Sequence, residues 1–135
     1  SGMAEKLLKN KIGYLFQHCA RIDEETVYDN LKLDVSGKNK QKQMDAALDE
    51  VGLHDYGKKK IYQCSGGEQQ RIALARLLLK HCELVLADEP TGSLDHENKM
   101  IVCRLLKKLN EEGKTIVVVT HDEEMKQFAD RIITL

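Results

Sequence analysis

This chain of 135 residues contains no G-x-x-x-x-G-K-[ST] segment, although that motif is the usual cradle for nucleotide phosphates. No apolar run approaches the roughly 18 residues that span a bilayer. The formal net charge is only −1, so no overall basic field points to nucleic acid or anionic lipid. With 41% hydrophobic and 32% charged residues, the composition is that of an ordinary globular domain.

The four cysteines lack the C-x-x-C spacing that is typical of zinc sites and redox motifs. Cys19, Cys64, Cys82 and Cys103 are therefore interpreted as free thiols of a cytosolic domain rather than as a disulfide framework. The length is sufficient for one domain with a hydrophobic core.

Short apolar runs alternate with amphipathic segments along the chain. The predicted strands are Ile12–Phe16, 83–87, Thr115–Val119 and 131–135. Helices are predicted over 39–51, over the residues after Ser65, and over 96–110, with connectors at 57–60 and 91–93. This order predicts an α/β fold with a mainly parallel sheet.

Glycines and capping residues mark the predicted helix ends. Gly52 and Gly113 are predicted to end two of the helices. Ser65 and Glu68 fit an S-x-x-E capping box, and residues 120–123 fit a second one, so a short helix is predicted to start at Thr120.

Polar side chains follow the ends of three predicted strands: Gln17, the pair Asp88 and Glu89, and His121. Parallel sheets bind ligands at the carboxyl ends of their strands. A first carboxylate at such an edge can hold magnesium, and a second can deprotonate an attacking water. Each residue could instead have a purely structural role, because carboxylates often cap turns and a histidine at a helix start is often structural.

The segment Ser65-Gly66-Gly67 precedes a predicted helix whose first N–H groups carry partial positive charge. Glycines allow a phosphate to approach such a backbone closely, so the turn is a candidate phosphate site. The alternative is a plain capping box with a glycine turn.

Taken in order, these motifs resemble the nucleotide-binding domain of ATP-binding-cassette transporters. Residues 64–68 resemble the signature motif, 84–89 the Walker B strand, and 93–95 the D-loop. Gln17 resembles the Q-loop glutamine and His121 the switch histidine. The amino-acid sequence of residues 86–95 is most similar to that of the ATPases of lipoprotein release, macrolide export and bacteriocin export. Cys64 departs from the usual leucine, and a small effect is expected.

The resemblance implies roles for these residues in ATP hydrolysis with Mg²⁺. Asp88 would serve magnesium, Glu89 would be the general base, and His121 would clamp the γ-phosphate. Gln17 would sense magnesium and the attacking water.

The remaining roles lie in a head-to-tail dimer with a second ATP-binding subunit. Ser65, Gly66, Gly67 and Glu68 would form the turn that meets ATP held by the partner, with Ser65 and Gly67 touching the γ-phosphate. Asp95 would link the two sites.

The resemblance also implies an incomplete domain, a fragment without its P-loop. Residues 20–80 are expected to form the helical signature subdomain, and 4–19 and 81–135 part of the catalytic core. The chain alone is expected not to hydrolyse ATP. It is also expected to expose strand edges that can pair with another copy.

The implied location is the cytoplasmic face of the membrane, where residues 18–36 would contact a permease subunit. The transported substrate is not specified by this sequence, and export is favoured only by the subfamily resemblance. No nucleic-acid partner is expected.

Two other functions fit part of the pattern. One is a non-catalytic module that docks on a transporter, which would need neither Glu89 nor His121. The other is the C-terminal lobe of a DNA-repair or chromosome-maintenance ATPase, in which a long coiled coil separates the glutamine from the signature turn. No sustained heptads separate Gln17 from Ser65 here.

Overall fold

A computed structural model of the chain describes residues 11–16 and 24–134. Three strands form one parallel sheet in the order β1 (Ile12–Phe16), β2 (Leu84–Asp88) and β3 (Thr115–Val119). In its register, Phe16 lies opposite Asp88, and Asp88 lies opposite Val119. The three strand ends therefore meet at one edge of the sheet, as the α/β prediction requires.

Four α-helices accompany the strands in the described part of the chain. They are α1 (Val27–Leu31), α2 (Lys40–Glu50), α3 (Gly66–Lys80) and α4 (His96–Glu111). Short 3₁₀ helices cover Ile61–Gln63 and Glu123–Phe128. Helices α1 and α2 pack on α3, while α3 contacts β1 and α4 contacts β3.

One face of the sheet carries most of its buried side chains. Leu15, Val85 and Ala87 point to this face and are almost fully buried. Helix α3 lies close against it, because a Cβ atom at Gly13 would stand 2.5 Å from Leu77 Cδ2. Gly13 therefore sets the distance between β1 and the helix that begins at the Ser65 turn.

Most of the predicted elements are confirmed, with shifts of at most one residue at either end. The strand predicted over 83–87 is Leu84–Asp88, so Asp88 ends the strand instead of following it. Gly52 and Gly113 have φ values of +76° and +107°, as expected for glycines that follow helices. The helix α1 (Val27–Leu31) lies within residues 20–36, of which 24–36 are described. No helix was predicted there from the sequence.

Two predictions near the C-terminus are wrong. Residues 131–134 are exposed and form no strand, because they do not pair with either outer strand of the described sheet. The helix predicted to start at Thr120 is a 3₁₀ helix that begins at Glu123. Its N-cap is Asp122, whose side chain accepts a hydrogen bond from the Glu124 amide, so the Thr120 hydroxyl is left for other partners.

Cys64, Cys82 and Cys103 are buried and are not joined in disulfides, and Cys19 lies outside the described residues. Burial is the main reason that the pKa of Cys103 is raised to about 11, which keeps it a neutral thiol at physiological pH. Within the described residues, no helix is both long and apolar enough to cross a bilayer.

Candidate functional site

The carboxyl edge of the sheet carries the candidate catalytic residues. Asp88 is exposed at the end of the central strand, while Glu89 directly after it is partly buried. The Glu89 amide donates to the Val119 carbonyl over 2.8 Å, which extends the β2–β3 pairing by one residue. Position 89 is thereby fixed relative to the end of β3.

Glu89 has a left-handed backbone conformation with φ of +46°. A residue other than glycine adopts this conformation at a cost of about 1–2 kcal/mol. The chain turns there, with the Gly92 amide donating to the Glu89 carbonyl over 3.2 Å. This conformation carries the chain from the strand into the turn that leads to α4.

Both oxygens of the Glu89 carboxylate accept hydrogen bonds from residues after β3. The Thr120 hydroxyl donates to Oε2 over 3.1 Å, and the His121 amide donates to Oε1 over 3.0 Å. The His121 ring is fully exposed, with Nε2 at 3.9 Å from Oε1. The structure thus brings Asp88, Glu89 and His121 to one edge, as predicted, whereas Gln17 lies outside the described residues.

The Ser65 turn forms the predicted capping box. The Ser65 hydroxyl accepts from the Glu68 amide over 3.1 Å, and the Glu68 carboxylate accepts from the Ser65 amide over 2.9 Å. Ser65 and Gly66 are exposed. The first amides of α3 have no partner within the helix, so this end of the helix can accept an anion.

Glu68 has a further partner that the sequence did not suggest, because the Tyr56 hydroxyl donates to its carboxylate. Partial burial alone would raise the pKa of Glu68, but the hydrogen bonds from Tyr56 and Ser65 outweigh it and lower that pKa. The same contact raises the pKa of Tyr56. Glu68 therefore remains a carboxylate that holds the start of α3 and the residue 56 loop together.

The Ser65 turn also contacts the first turn of α4, which directly follows the segment that resembles the D-loop. Gly67 lies against Asn98 in the first turn of α4. Asp95 is the N-cap of α4, and its carboxylate accepts from the Asn98 amide over 2.8 Å and from Asn98 Nδ2 over 3.0 Å. Asp95 therefore holds the residue that contacts the signature turn.

Buried Gln70 joins these motifs and was missed by the sequence analysis. Its Nε2 group donates to the Phe16 carbonyl over 3.2 Å and to the Pro90 carbonyl over 2.7 Å. One side chain of α3 thus contacts the end of β1 and the turn after Glu89. The available signal was a polar side chain on the face of α3 that also carries the apolar residues Ala73, Leu74 and Leu77.

The exposed carboxylate at the end of β2 fits the chemistry of Mg²⁺ binding. Magnesium commonly takes one or two carboxylates and fills its remaining positions with waters and phosphate oxygens. Exposed Asp88 offers such a carboxylate at the carboxyl edge. No group of three or more His, Cys, Asp or Glu side chains in the described part of the chain is arranged to hold a metal by itself.

A family model described as "ABC transporter" matches residues 2–92 of the chain. The macrolide export ATP-binding/permease protein MacB of Chlorobaculum tepidum is 41% identical over 130 residues, which are 93% of this chain and 20% of that protein. The uncharacterized ABC transporter ATP-binding protein MJ0796 of Methanocaldococcus jannaschii is 41% identical over 140 residues, covering 96% of this chain and 60% of that protein.

Solved structures give the same likeness. A dimeric, post-hydrolysis structure of the ATP-binding cassette MJ0796 bound to ADP and Pi superposes with a TM-score of 0.79 at 36% identity. The match covers 96% of this chain and 60% of that one. The chain thus spans 60% of the length of MJ0796 and 20% of the length of the MacB protein, less than two thirds of either.

Proposed function

The chain belongs to the ABC transporter family, and from that membership we propose that it is part of an ATP-binding subunit that couples ATP hydrolysis to transport, most consistently export. The observation that carries the proposal is the carboxyl edge of the sheet. There Glu89 is held by the residues after β3, next to exposed Asp88 and His121. A positioned carboxylate can orient and deprotonate the attacking water, and a second one beside it can bind Mg²⁺, which are two of the tasks in phosphoanhydride hydrolysis.

In the intact domain, each of these residues has a distinct task. Asp88 holds Mg²⁺, which when bound neutralises charge on the phosphate oxygens. Glu89 accepts the proton of the attacking water, and His121 donates a hydrogen bond to the γ-phosphate. Gln17 completes this set on the segment after β1.

The Ser65 turn acts on nucleotide held by a second subunit in a head-to-tail dimer. Ser65, Gly66 and Gly67 present the start of α3, while Glu68 holds the turn and Asp95 connects it to α4. The dimeric state of the MJ0796 cassette supports this arrangement.

A permease subunit is the proposed membrane partner, contacted through residues 18–36, of which 24–36 are described. The MacB relatives are named macrolide export ATP-binding/permease proteins. That name supports the proposals of a permease partner and of a role in export. The subunit would then lie on the cytoplasmic face of the membrane.

The proposed division of the domain places residues 20–80 in a helical subdomain and residues 4–19 and 81–135 in the catalytic core. The packing of α1 and α2 on α3 supports the first assignment, and the β1–β2–β3 sheet supports the second. Gln70 links the two, because it lies on α3 and donates to carbonyls of the core.

The 135-residue chain alone is expected neither to bind ATP usefully nor to hydrolyse it. Phosphoryl transfer depends on positioning and charge stabilisation, and the amides and lysine of a P-loop are absent from this sequence. The test measures ATP binding and steady-state hydrolysis by the chain beside a version extended upstream through a P-loop.

Only the extended version should bind and hydrolyse ATP, and Glu89→Gln should abolish its turnover. Glu97→Gln provides the matched control, since it makes the same change at an exposed position in the first turn of α4. If the extended version fails to hydrolyse ATP, or if Glu89→Gln leaves turnover intact, the assignment is wrong. Binding without hydrolysis would favour a non-catalytic docking module.

A further inference from the structure

The carboxylate of Glu89 is fixed from the end of a neighbouring strand. Its Oε2 atom accepts from the Thr120 hydroxyl over 3.1 Å and its Oε1 atom from the His121 amide over 3.0 Å. The Glu89 side chain is 28% exposed, so water can compete for the same oxygens. Two donors, one for each oxygen, restrict both the position and the rotation of the carboxylate.

The Thr120 hydroxyl group has one orientation that satisfies both of its hydrogen-bond partners. Its oxygen accepts from the Asp122 amide over 2.9 Å, so its single proton is directed elsewhere. An ionised Glu89 can only accept, and its Oε2 lies within reach of that proton. The hydroxyl is therefore held by Asp122 and donates to Glu89, instead of capping the helix that follows.

The backbone at residue 89 makes such a restraint necessary. A left-handed conformation in a residue other than glycine persists only where its surroundings determine it. The Glu89 amide is already bonded to the end of β3, and Thr120 extends the same restraint to the side chain. Both ends of Glu89 are thus anchored to one segment.

We propose that Thr120 is a positioning residue for Glu89, holding its carboxylate where it can receive the proton of the attacking water. The inference rests on the proposed role of Glu89 as general base. Thr120 itself touches neither water nor nucleotide in this scheme. Its contribution arises from restricting the motion of Glu89, and a misplacement of about 1 Å can cost up to a hundredfold in rate.

The test compares Thr120 variants in the version extended through a P-loop. Thr120→Val keeps the shape but removes the hydroxyl, and kcat should fall about tenfold while KM for ATP changes less than about twofold. Thr120→Ser should retain kcat within about threefold, since it keeps the donor. Thr120→Ala also removes the hydroxyl, with a smaller side chain than valine, and should show the same loss of kcat as Thr120→Val.

Thr115→Val is the matched control, because Thr115 lies at the opposite end of the same strand and is exposed. Its kcat should be unchanged. The proposal is overturned if Thr120→Val retains full kcat, or if Thr120→Ser loses as much as Thr120→Val. Glu89→Gln, measured in parallel, reports on the general base itself, so failure of that assignment is seen separately.

A second measurement needs no activity and uses the 135-residue chain. The His121 backbone amide should give a downfield proton resonance in NMR spectra, because it donates to the Glu89 carboxylate. Thr120→Val should move it upfield as Glu89 gains freedom, whereas Thr120→Ser and Thr115→Val should leave it in place. An unchanged His121 resonance in Thr120→Val would contradict the restraint.

Discussion

At the residue scale, the two glycines of the Ser65 turn differ in what surrounds them. A Cβ atom at Gly67 would lie 2.9 Å from Asn98 Cβ and 2.5 Å from Asn98 Cγ. At Gly66 the nearest atom to such a Cβ is Leu94 Cδ2, at an ordinary 3.9 Å. Gly67 is therefore required by the packing of α3 on α4, whereas Gly66 is not required by packing.

Gly67→Ala should lower the free energy of unfolding by about 1–3 kcal/mol, because Asn98 is anchored on Asp95 and α4 must shift to make room. Gly66→Ala is the matched control. It should be neutral or stabilising by up to about 1 kcal/mol, since alanine favours the helix. Urea denaturation of the chain measures both.

A second variant tests whether the lost stability of Gly67→Ala comes from the close approach of the new Cβ atom to Asn98. Asn98→Ala removes Asn98 Oδ1 and Cγ, the two atoms nearest to the added Cβ, but keeps Asn98 Cβ at 2.9 Å. Gly67→Ala should therefore cost less stability in the Asn98→Ala background than in the parent chain. Equal losses for Gly66→Ala and Gly67→Ala would show that the close approach to Asn98 is not the cause.

At the element scale, an ion-pair cluster joins α4 to the 3₁₀ helix after His121. Lys99 Nζ lies 2.6 Å from Asp122 Oδ2 and 3.6 Å from Glu124 Oε1, while His96 Nδ1 lies 2.8 Å from Glu124 Oε2. Asp122 also caps the 3₁₀ helix, and its amide holds the Thr120 hydroxyl. The cluster therefore sets where the segment after β3 lies.

This cluster predicts a pH-dependent stability. The hydrogen bond from Lys99 is the main reason that the pKa of Asp122 lies below its ordinary value, and Asp122 in turn raises the pKa of Lys99. A lowered carboxyl pKa stabilises the fold above about pH 4 and loses that effect as the pH falls through the folded value. A raised lysine pKa stabilises the fold up to about pH 10 and loses that effect above it.

Lys99→Met should therefore be less stable than the parent chain between about pH 5 and pH 10, and the difference should shrink outside that window. Urea denaturation at a series of pH values gives the measurement. Lys107→Met, which removes an ion pair with the largely exposed Asp130, serves as control and should change stability little. A difference that persists unchanged at pH 2–3 would mean that Lys99 acts through packing instead.

At the scale of the whole molecule, one face of the sheet is open in the described structure. Tyr14 and Phe16 are stacked there with ring centroids 5.9 Å apart and are 53% and 46% exposed. Val117 and Val119 continue this apolar face on β3 and are 45% and 60% exposed. Within the described sheet, β1 and β3 each pair with β2 alone. An apolar face with open edges favours association.

The chain is expected to self-associate through this face, with sedimentation velocity showing a larger species as concentration rises. Val117→Lys should shift the equilibrium towards monomer, because it places a charge within the exposed apolar patch. Tyr62→Lys is the matched control, since Tyr62 is 63% exposed but lies outside the sheet. A parent chain that stays monomeric at high concentration would contradict the prediction.

The elements were predictable because their signals are local. Apolar runs of strand length and helical spacing of apolar residues identified β1, β2, β3, α2 and α4 to within one residue at each end, and the Ser65 capping box identified the start of α3. The Ser65 capping box was correct because all of its atoms lie within four consecutive residues. The same pattern at Thr120 was wrong because the Thr120 oxygen accepts from the Asp122 amide, and Asp122 caps the helix that begins at Glu123.

The sequence by itself determined the family, the α/β architecture and the candidate residues at the strand ends, since those depend on local pattern and on the order of motifs. Only the tertiary structure decided how these residues are held: Glu89 by Thr120, the Ser65 turn by Tyr56 and Asn98, and Gln70 between two carbonyls. The physical reason is that hydrogen bonds and close packing between distant residues depend on distances within about 3–4 Å, which no local pattern specifies.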